Sequence, residues 1–173
     1  MLFRSEHRSP IPNELRGDIG DWLFGCDVCQ EVCPWNNKSE FSQEPLFQPL
    51  PGANPIDARE LFYLDDEQFR ARFRKTPLWR AKRRGLVRNA AIVLGNQPDI
   101  ENVPTLVCGL HDEEPLIRGA AAWAIGQHRY SHATLELQKR LEVEQDPYVI
   151  EECRDALTST QKRMHAADGK PGC

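Results

Sequence analysis

Apolar residues recur along most of this chain at helical spacing. Leu15, Ile19 and Trp22 or Leu23 predict a short helix within PIPNELRGDIGDWLFG, with Pro12 suited to its first turn and Gly25 placed to end it. The pattern stops after Trp35, where Pro45, Pro49, Pro51 and Pro55 fall within eleven residues, which excludes a sustained helix or central strand and predicts an extended connector over 36–55. Two short helices are expected next, because Asp57 with Glu60 and Asp65 with Gln68 match the capping-box pattern; Thr76-Pro77 is a third start. From there to about residue 157 the chain repeats itself: AAIVLG at 90–95 returns as AAWAIG at 121–126, thirty-one residues later, and EEPLIR at 113–118 returns weakly as QDPYVI at 145–150. Val103, Leu106, Val107 and Leu110 form an i, i+3, i+4, i+7 stripe, and Leu137 and Leu141 continue a similar one. A period near 31 built from paired helices predicts an α-solenoid of two full units and a degenerate third, with Ala90, Ala91, Ala121 and Ala122 allowing close approach in its core.

Composition adds little to this, but the distribution of charge adds a good deal. At 173 residues, 40% hydrophobic and 28% charged, the chain can bury one sizeable core or two small ones. Apolar stretches such as GAAAWAIG fall well short of the roughly 20 residues that cross a bilayer, and MLFRSEHRSP lacks the apolar core of a leader peptide, so a cytoplasmic location is expected. The net charge of −4 conceals nine cations between Arg70 and Arg88 with no acid among them, leaving 13 Lys and Arg against 26 acidic residues elsewhere. On a helix from Thr76 to about Leu94, Arg80, Arg84 and Arg88 would lie one turn apart, opposite Leu86, Ala90 and Val93. A solvated face is the plain explanation of such a run; the absence of any acid points instead to a polyanion. Arg72, Arg80, Lys82, Arg83, Arg84 and Arg88 are therefore the candidate contacts to that polyanion, and charge reversal at Arg83 and Arg84 is expected to weaken its binding and flatten the salt dependence. Phe69, Phe73 and Trp79 are assigned to the core.

Six cysteines in a chain expected to be cytoplasmic argue against a disulfide framework. Cys26, Cys29 and Cys33 form C-x2-C-x3-C followed by Pro34, which fits no common zinc ribbon or knuckle, although disulfide and structural-zinc readings stay open. Iron–sulfur chemistry fits better: in the ferredoxin run C-x2-C-x2-C-x3-C-P the cysteine before proline serves the other cluster, so Cys26 and Cys29 would hold one [4Fe-4S] cluster and Cys33 would reach a second. Two such clusters need about eight thiolates, so further ligands must come from an upstream region or a partner chain. Cys108 and Cys153 are expected to be buried structural thiols, and Cys173 to end a loose tail. The histidines His7, His111, His128, His132 and His165 share no ligand spacing and are assigned surface or capping roles. No phosphate loop and no Ser-His-Asp order can be assembled.

The stretches PIPNELRGDIGDWLFGCDVCQEVCPWN and TPLWRAKRRGLVRNAAIVLGN, followed by helical repeats, resemble the second iron–sulfur segment and the C-terminal tRNA-binding region of the epoxyqueuosine reductase family, up to about residue 157. The resemblance implies a cobalamin-dependent reduction, in which two [4Fe-4S] clusters pass electrons to a base-off cobalamin that removes the epoxide oxygen of a modified base in the tRNA anticodon loop. It matches Cys26 and Cys29 to the cluster nearer the corrinoid, Cys33 to the other, and Cys26 and Asp27 to a place where the chain passes close to cobalamin. The family's catalytic domain, proton-donating acid and first ferredoxin run have no counterpart here, and MLFRSEH matches poorly. The expectation is a C-terminal portion, inactive alone, with a separate chain carrying the catalytic domain as a candidate partner and a stand-alone HEAT-like scaffold or RNA- or protein-binding module as the alternative. The fold expected is mostly all-α: a ferredoxin-like 4Fe-4S segment over 1–35, the connector over 36–55, two to three HEAT-like helix pairs over 56–160, and a flexible tail over 161–173.

Overall fold

The computed structural model describes residues 7–40, 42–48, 52, 55–128 and 131–168. It begins with α1 (Asn13–Arg16), which tightens into a 3-10 turn over Gly17–Ile19. Gly20, at φ 58°, ends this element, five residues before the expected terminator; Gly25, at φ 68°, makes a later turn instead. α2 (Val28–Glu31) follows within the cysteine motif, and the described residues of the proline-rich stretch hold only 3-10 turns, at Asn36–Lys38 and Pro45–Phe47.

Both expected capping sites are occupied, with different outcomes. Asp57 accepts from the Arg59 amide and starts a 3-10 helix, Ala58–Tyr63, while the Glu60 carboxylate turns away to Arg72. Before α3 (Asp66–Phe73) the box is complete: Asp65 Oδ1 accepts from the Gln68 amide at 2.7 Å and Gln68 Oε1 accepts from the Asp65 amide at 3.0 Å. The long helix expected from Thr76 is interrupted. A 3-10 turn, Pro77–Ala81, meets α4 (Lys82–Asn96) at Lys82, whose φ of 58° and ψ of 167° lie in a region normally reserved for glycine.

α5 (Val103–Gly109), α6 (Pro115–Gln127), α7 (Ser131–Val143) and α8 (Pro147–Asp168) complete the chain. The helices α4, α6 and α8 pack side by side, with Ala58–Tyr63, α5 and α7 behind them. The α5/α6 and α7/α8 pairs are the full units, and the degenerate one is the first, where a 3-10 helix backs α4. The 31-residue repeat marks the contacts between the inner helices: a Cβ added at Gly95 would lie 2.9 Å from Ala124 Cα, and one at Gly126 would lie 2.8 Å from Ala156 Cα. Glycine at these positions lets the inner helices touch backbone to backbone. α8 runs through Asp168 and so extends into the tail expected from residue 161, because QKRMHAA is rich in good helix formers; Cys173 lies outside the described residues.

The chain entering the cysteine motif lies across all three inner helices. Trp123 Nε1 donates to Asn13 Oδ1 at 2.7 Å, the Arg16 guanidinium pairs with Glu152, and Asn96 Nδ2 donates to the carbonyls of Arg16 and Gly20. Asn89 Nδ2 donates to Leu23 O, and Arg88 Nη1 donates to His7 O and Ser9 O at 2.8 and 2.9 Å. Ile11 and Ile19 enter the common core. Consequently every residue of α4 from Gly85 to Gly95 is buried, and the face expected to meet solvent meets residues 7–24 instead. Elsewhere, Glu144 is buried between Arg118 and Arg140. No helix among the described residues is long and apolar enough to cross a membrane.

Candidate metal centre and basic surface

The turn at Gly25, where positive φ favours glycine, delivers the chain into the cysteines. Cys29 sits exposed on α2, and Cys26 and Cys33 flank that helix, half-buried; none of the three is in a disulfide. Cys33 O accepts from the amides of Asn36 and Asn37, and Asn36 Nδ2 donates to Gln30 O, so short local bonds hold the loop. Around them Val28, Val32 and Trp35 are exposed, Trp35 by 87%. Among the described residues no three His, Cys, Asp or Glu side chains converge closely enough to hold one metal ion. Three accessible free thiols on a short turn fit cluster ligation by donor chemistry, in an arrangement that leaves coordination positions to other chains or segments. Asp27 precedes α2, exposed, and makes no capping bond.

The other cysteines divide. Cys153 is buried as expected, and burial pushes its thiol up to about 11, which keeps it protonated and inert. Cys108 was expected inside and is exposed, because it falls on the outer side of α5, behind the stripe of Val103 and Leu106. His128, assigned to the surface, is buried, and burial lowers its pKa.

Six candidate cations separate into two groups. Arg72 donates to Glu60 and to Gly52 O. Arg83 donates from Nε to Leu64 O at 2.6 Å and forks onto Asp112, with Nη2 to Oδ2 at 2.5 Å, so it ties α4 to the start of α6. Arg88 is 1% exposed and clamps residues 7–9, which removes it from any phosphate-facing surface. Burial, followed by repulsion from Arg84, pushes its pKa down to about 10. The exposed cations are Arg80, Lys82 and Arg84. Lys82 Nζ lies 3.6 Å from the centroid of the Trp79 ring, which itself stacks on Phe69; Phe69 and Phe73 are core, as expected. Sequence reasoning missed two residues of this surface, His7 and Arg8, which line a cavity of about 240 Å³ with Arg80, Lys82, Arg84 and Gly85. Nothing local connects them to the strip; Arg84 Nη2 donates to Arg8 O across 76 positions.

Residues 3–36 match the family described as a 4Fe-4S double cluster binding domain, and residues 81–158 match HEAT repeats. An uncharacterized protein from the gldA 3' region of Geobacillus stearothermophilus is 37% identical over 88% of this chain and 71% of its own length. Epoxyqueuosine reductases of Xanthomonas campestris and Bacillus subtilis are 36% and 37% identical over 71% and 84% of the chain, which spans only 35% and 38% of their lengths. Among solved structures, an epoxyqueuosine reductase with a tRNA-Tyr epoxyqueuosine-modified stem loop superposes with a TM-score of 0.84 at 32% identity, covering 92% of this chain and 43% of that one. The Bacillus subtilis enzyme gives 0.82 at 33% identity, over 91% and 42%. The fold, a ferredoxin-type segment laid across HEAT repeats, and these relatives together show that the chain is homologous to about two fifths of the length of epoxyqueuosine reductases, consistent with a C-terminal portion.

Proposed function

We propose that this chain forms the cluster-ligating and tRNA-docking portion of an epoxyqueuosine reductase, working with a polypeptide that carries the cobalamin-binding catalytic part and the remaining sulfur ligands. The observation that carries this reading is the joining of two surfaces in one body. The same hydrogen-bonded unit presents three free thiols on an open turn and a separate group of exposed cations, and it superposes on a reductase solved with a modified tRNA stem loop. Cys26 and Cys29 would hold one cluster and Cys33 a second, and Cys26 and Asp27 would be the residues of this chain offered to the corrinoid. When bound, the clusters would supply single electrons and the cobalamin the two-electron reducing centre, for a reduction in which the epoxide oxygen leaves as water after taking up two protons. The chain's own residues fix the relay relative to the RNA: Asn13, Arg16, Arg88, Asn89 and Asn96 lock the segment leading to the cysteines onto α4, α6 and α8. The exposed Val28, Val32 and Trp35 supply an apolar rim for the polypeptide that completes the clusters. Arg80, Lys82 and Arg84 position the RNA backbone, without reading its bases.

Anaerobic reconstitution with iron and sulfide, with and without a companion catalytic chain, tests this directly. The broad visible absorption of iron–sulfur should develop with the companion present and be lost in Cys29→Ala. A colourless chain that binds one zinc using only its own side chains would overturn the proposal.

A further inference from the structure

We propose that the cavity between His7–Arg8 and the start of α4 is a seat for a single phosphate group, built jointly by the cluster-bearing segment and the helical stack. This rests on the tRNA-docking reading and narrows it to one site. Four permanent cations line the cavity, Arg8, Arg80, Lys82 and Arg84, with His7 and no carboxylate among the described lining residues. Elsewhere Arg16, Arg59, Arg72, Arg83, Arg118 and Arg140 each have a carboxylate partner. None of the four seat cations pairs with a carboxylate among the described residues, and unlike the other exposed cations of the strip they line one cavity.

The cavity is held in this form at a cost. Lys82 adopts backbone angles, φ 58° and ψ 167°, that a non-glycine residue avoids. The result is that Lys82 and Arg84 open onto the same space as Arg80, from two helical segments with different axes. Arg84 Nη2, hydrogen-bonded to Arg8 O at 3.0 Å, brings the second chain segment to the rim. The first turn of α4 has no side-chain cap and no acidic residue, so its dipole adds to the positive field at Gly85. At about 240 Å³ the cavity is smaller than the roughly 300–1,000 Å³ that encloses whole small molecules, so one tetrahedral oxyanion fits the space better than a nucleotide does.

The chemistry recognised is a phosphate, and its source is either an RNA backbone or the free ion. A backbone phosphate seated here would bridge the segment leading to Cys26 and the repeats, fixing the relay and the RNA by the same contact. The test uses the full chain, with Arg8→Gln and Arg84→Gln against the control Lys139→Gln, and two probes, an anticodon stem-loop RNA and millimolar inorganic phosphate. RNA affinity is read across a salt series, and phosphate is read from the backbone amide resonances of Lys82 to Gly85. Each seat variant should lower RNA affinity about tenfold and reduce the salt slope by about one, and Lys139→Gln should change neither. RNA binding with slope and affinity unchanged in both seat variants, and no phosphate-dependent resonance shifts, overturns the seat and leaves the docking reading standing. Resonance shifts abolished by the variants in a chain that does not bind the stem-loop keep the seat, make free phosphate its ligand, and remove the docking reading.

Discussion

Replacing Gly126 with alanine sets two calculable effects against each other. Alanine in place of a helical glycine ordinarily stabilises by up to about 1 kcal/mol, through lower unfolded-state entropy and better propensity. At Gly126, however, the new methyl would lie 2.8 Å from both Ala156 Cα and Ala156 Cβ. These atoms belong to the backbone and first side-chain carbon of the 22-residue helix α8, which cannot swing aside as a flexible side chain would. Separating two long helices that are packed along their length places the cost at the upper end of overpacking, about 3 kcal/mol. The net expectation is a loss of about 2 kcal/mol, or roughly 4–8 °C in midpoint for a chain of this size. Gly85→Ala is the internal control: its methyl would meet only Ala81 Cβ at an ordinary 3.5 Å, so the same chemical change should leave stability unchanged or raise it by up to about 1 kcal/mol. Urea unfolding followed by far-ultraviolet circular dichroism measures both. A Gly126→Ala chain at least as stable as the parent would refute the claim that these repeat glycines mark backbone contact between the inner helices.

Three further expectations follow from buried groups. Burial alone would raise the Glu144 carboxyl, but hydrogen bonds from Arg118, the Asp146 amide and Arg140 hold it down at about 2, against an ordinary 4.5. Its contribution is therefore complete above about pH 4.5 and lost as pH falls toward 2; Glu144→Ala should cost about 3 kcal/mol at neutral pH and weaken the acid dependence of the urea midpoint. Arg88→Met removes the donors to His7 O and Ser9 O, so limited trypsin digestion should cut early at Arg8 and Arg16; an unchanged digestion pattern would show that the segment is held without Arg88. Native alkylation read by mass spectrometry should label Cys108 and leave Cys153 unmodified until the chain unfolds.

Much of the architecture was legible from local pattern. The 31-residue return of AAIVLG as AAWAIG marks two inner helices, the proline at each helix start marks α6 and α8, and Asp65 with Gln68 marks the box before α3. Spacing and side-chain chemistry along a single segment decide those features, as they decide that Cys26, Cys29 and Cys33 occupy one short turn. The fate of each cation was not legible. Arg83 and Arg84 are adjacent in sequence, yet one is spent on Asp112, twenty-nine positions away, and the other opens into the cavity beside Arg8. Arg88, read as a third member of an exposed stripe, finds its partners 79 and 81 positions earlier.

The sequence by itself determined the repeat of paired helices, the capping box before α3, and which thiols and cations would be available. Only the tertiary structure decided which of those cations remain free. Periodicity reports how one helix presents its faces, but a guanidinium is neutralised or buried by whatever chain packs against that face. Residues 7–24 crossing α4 turned an apparent solvent face into an interior one, and left the positive field concentrated at its first turn.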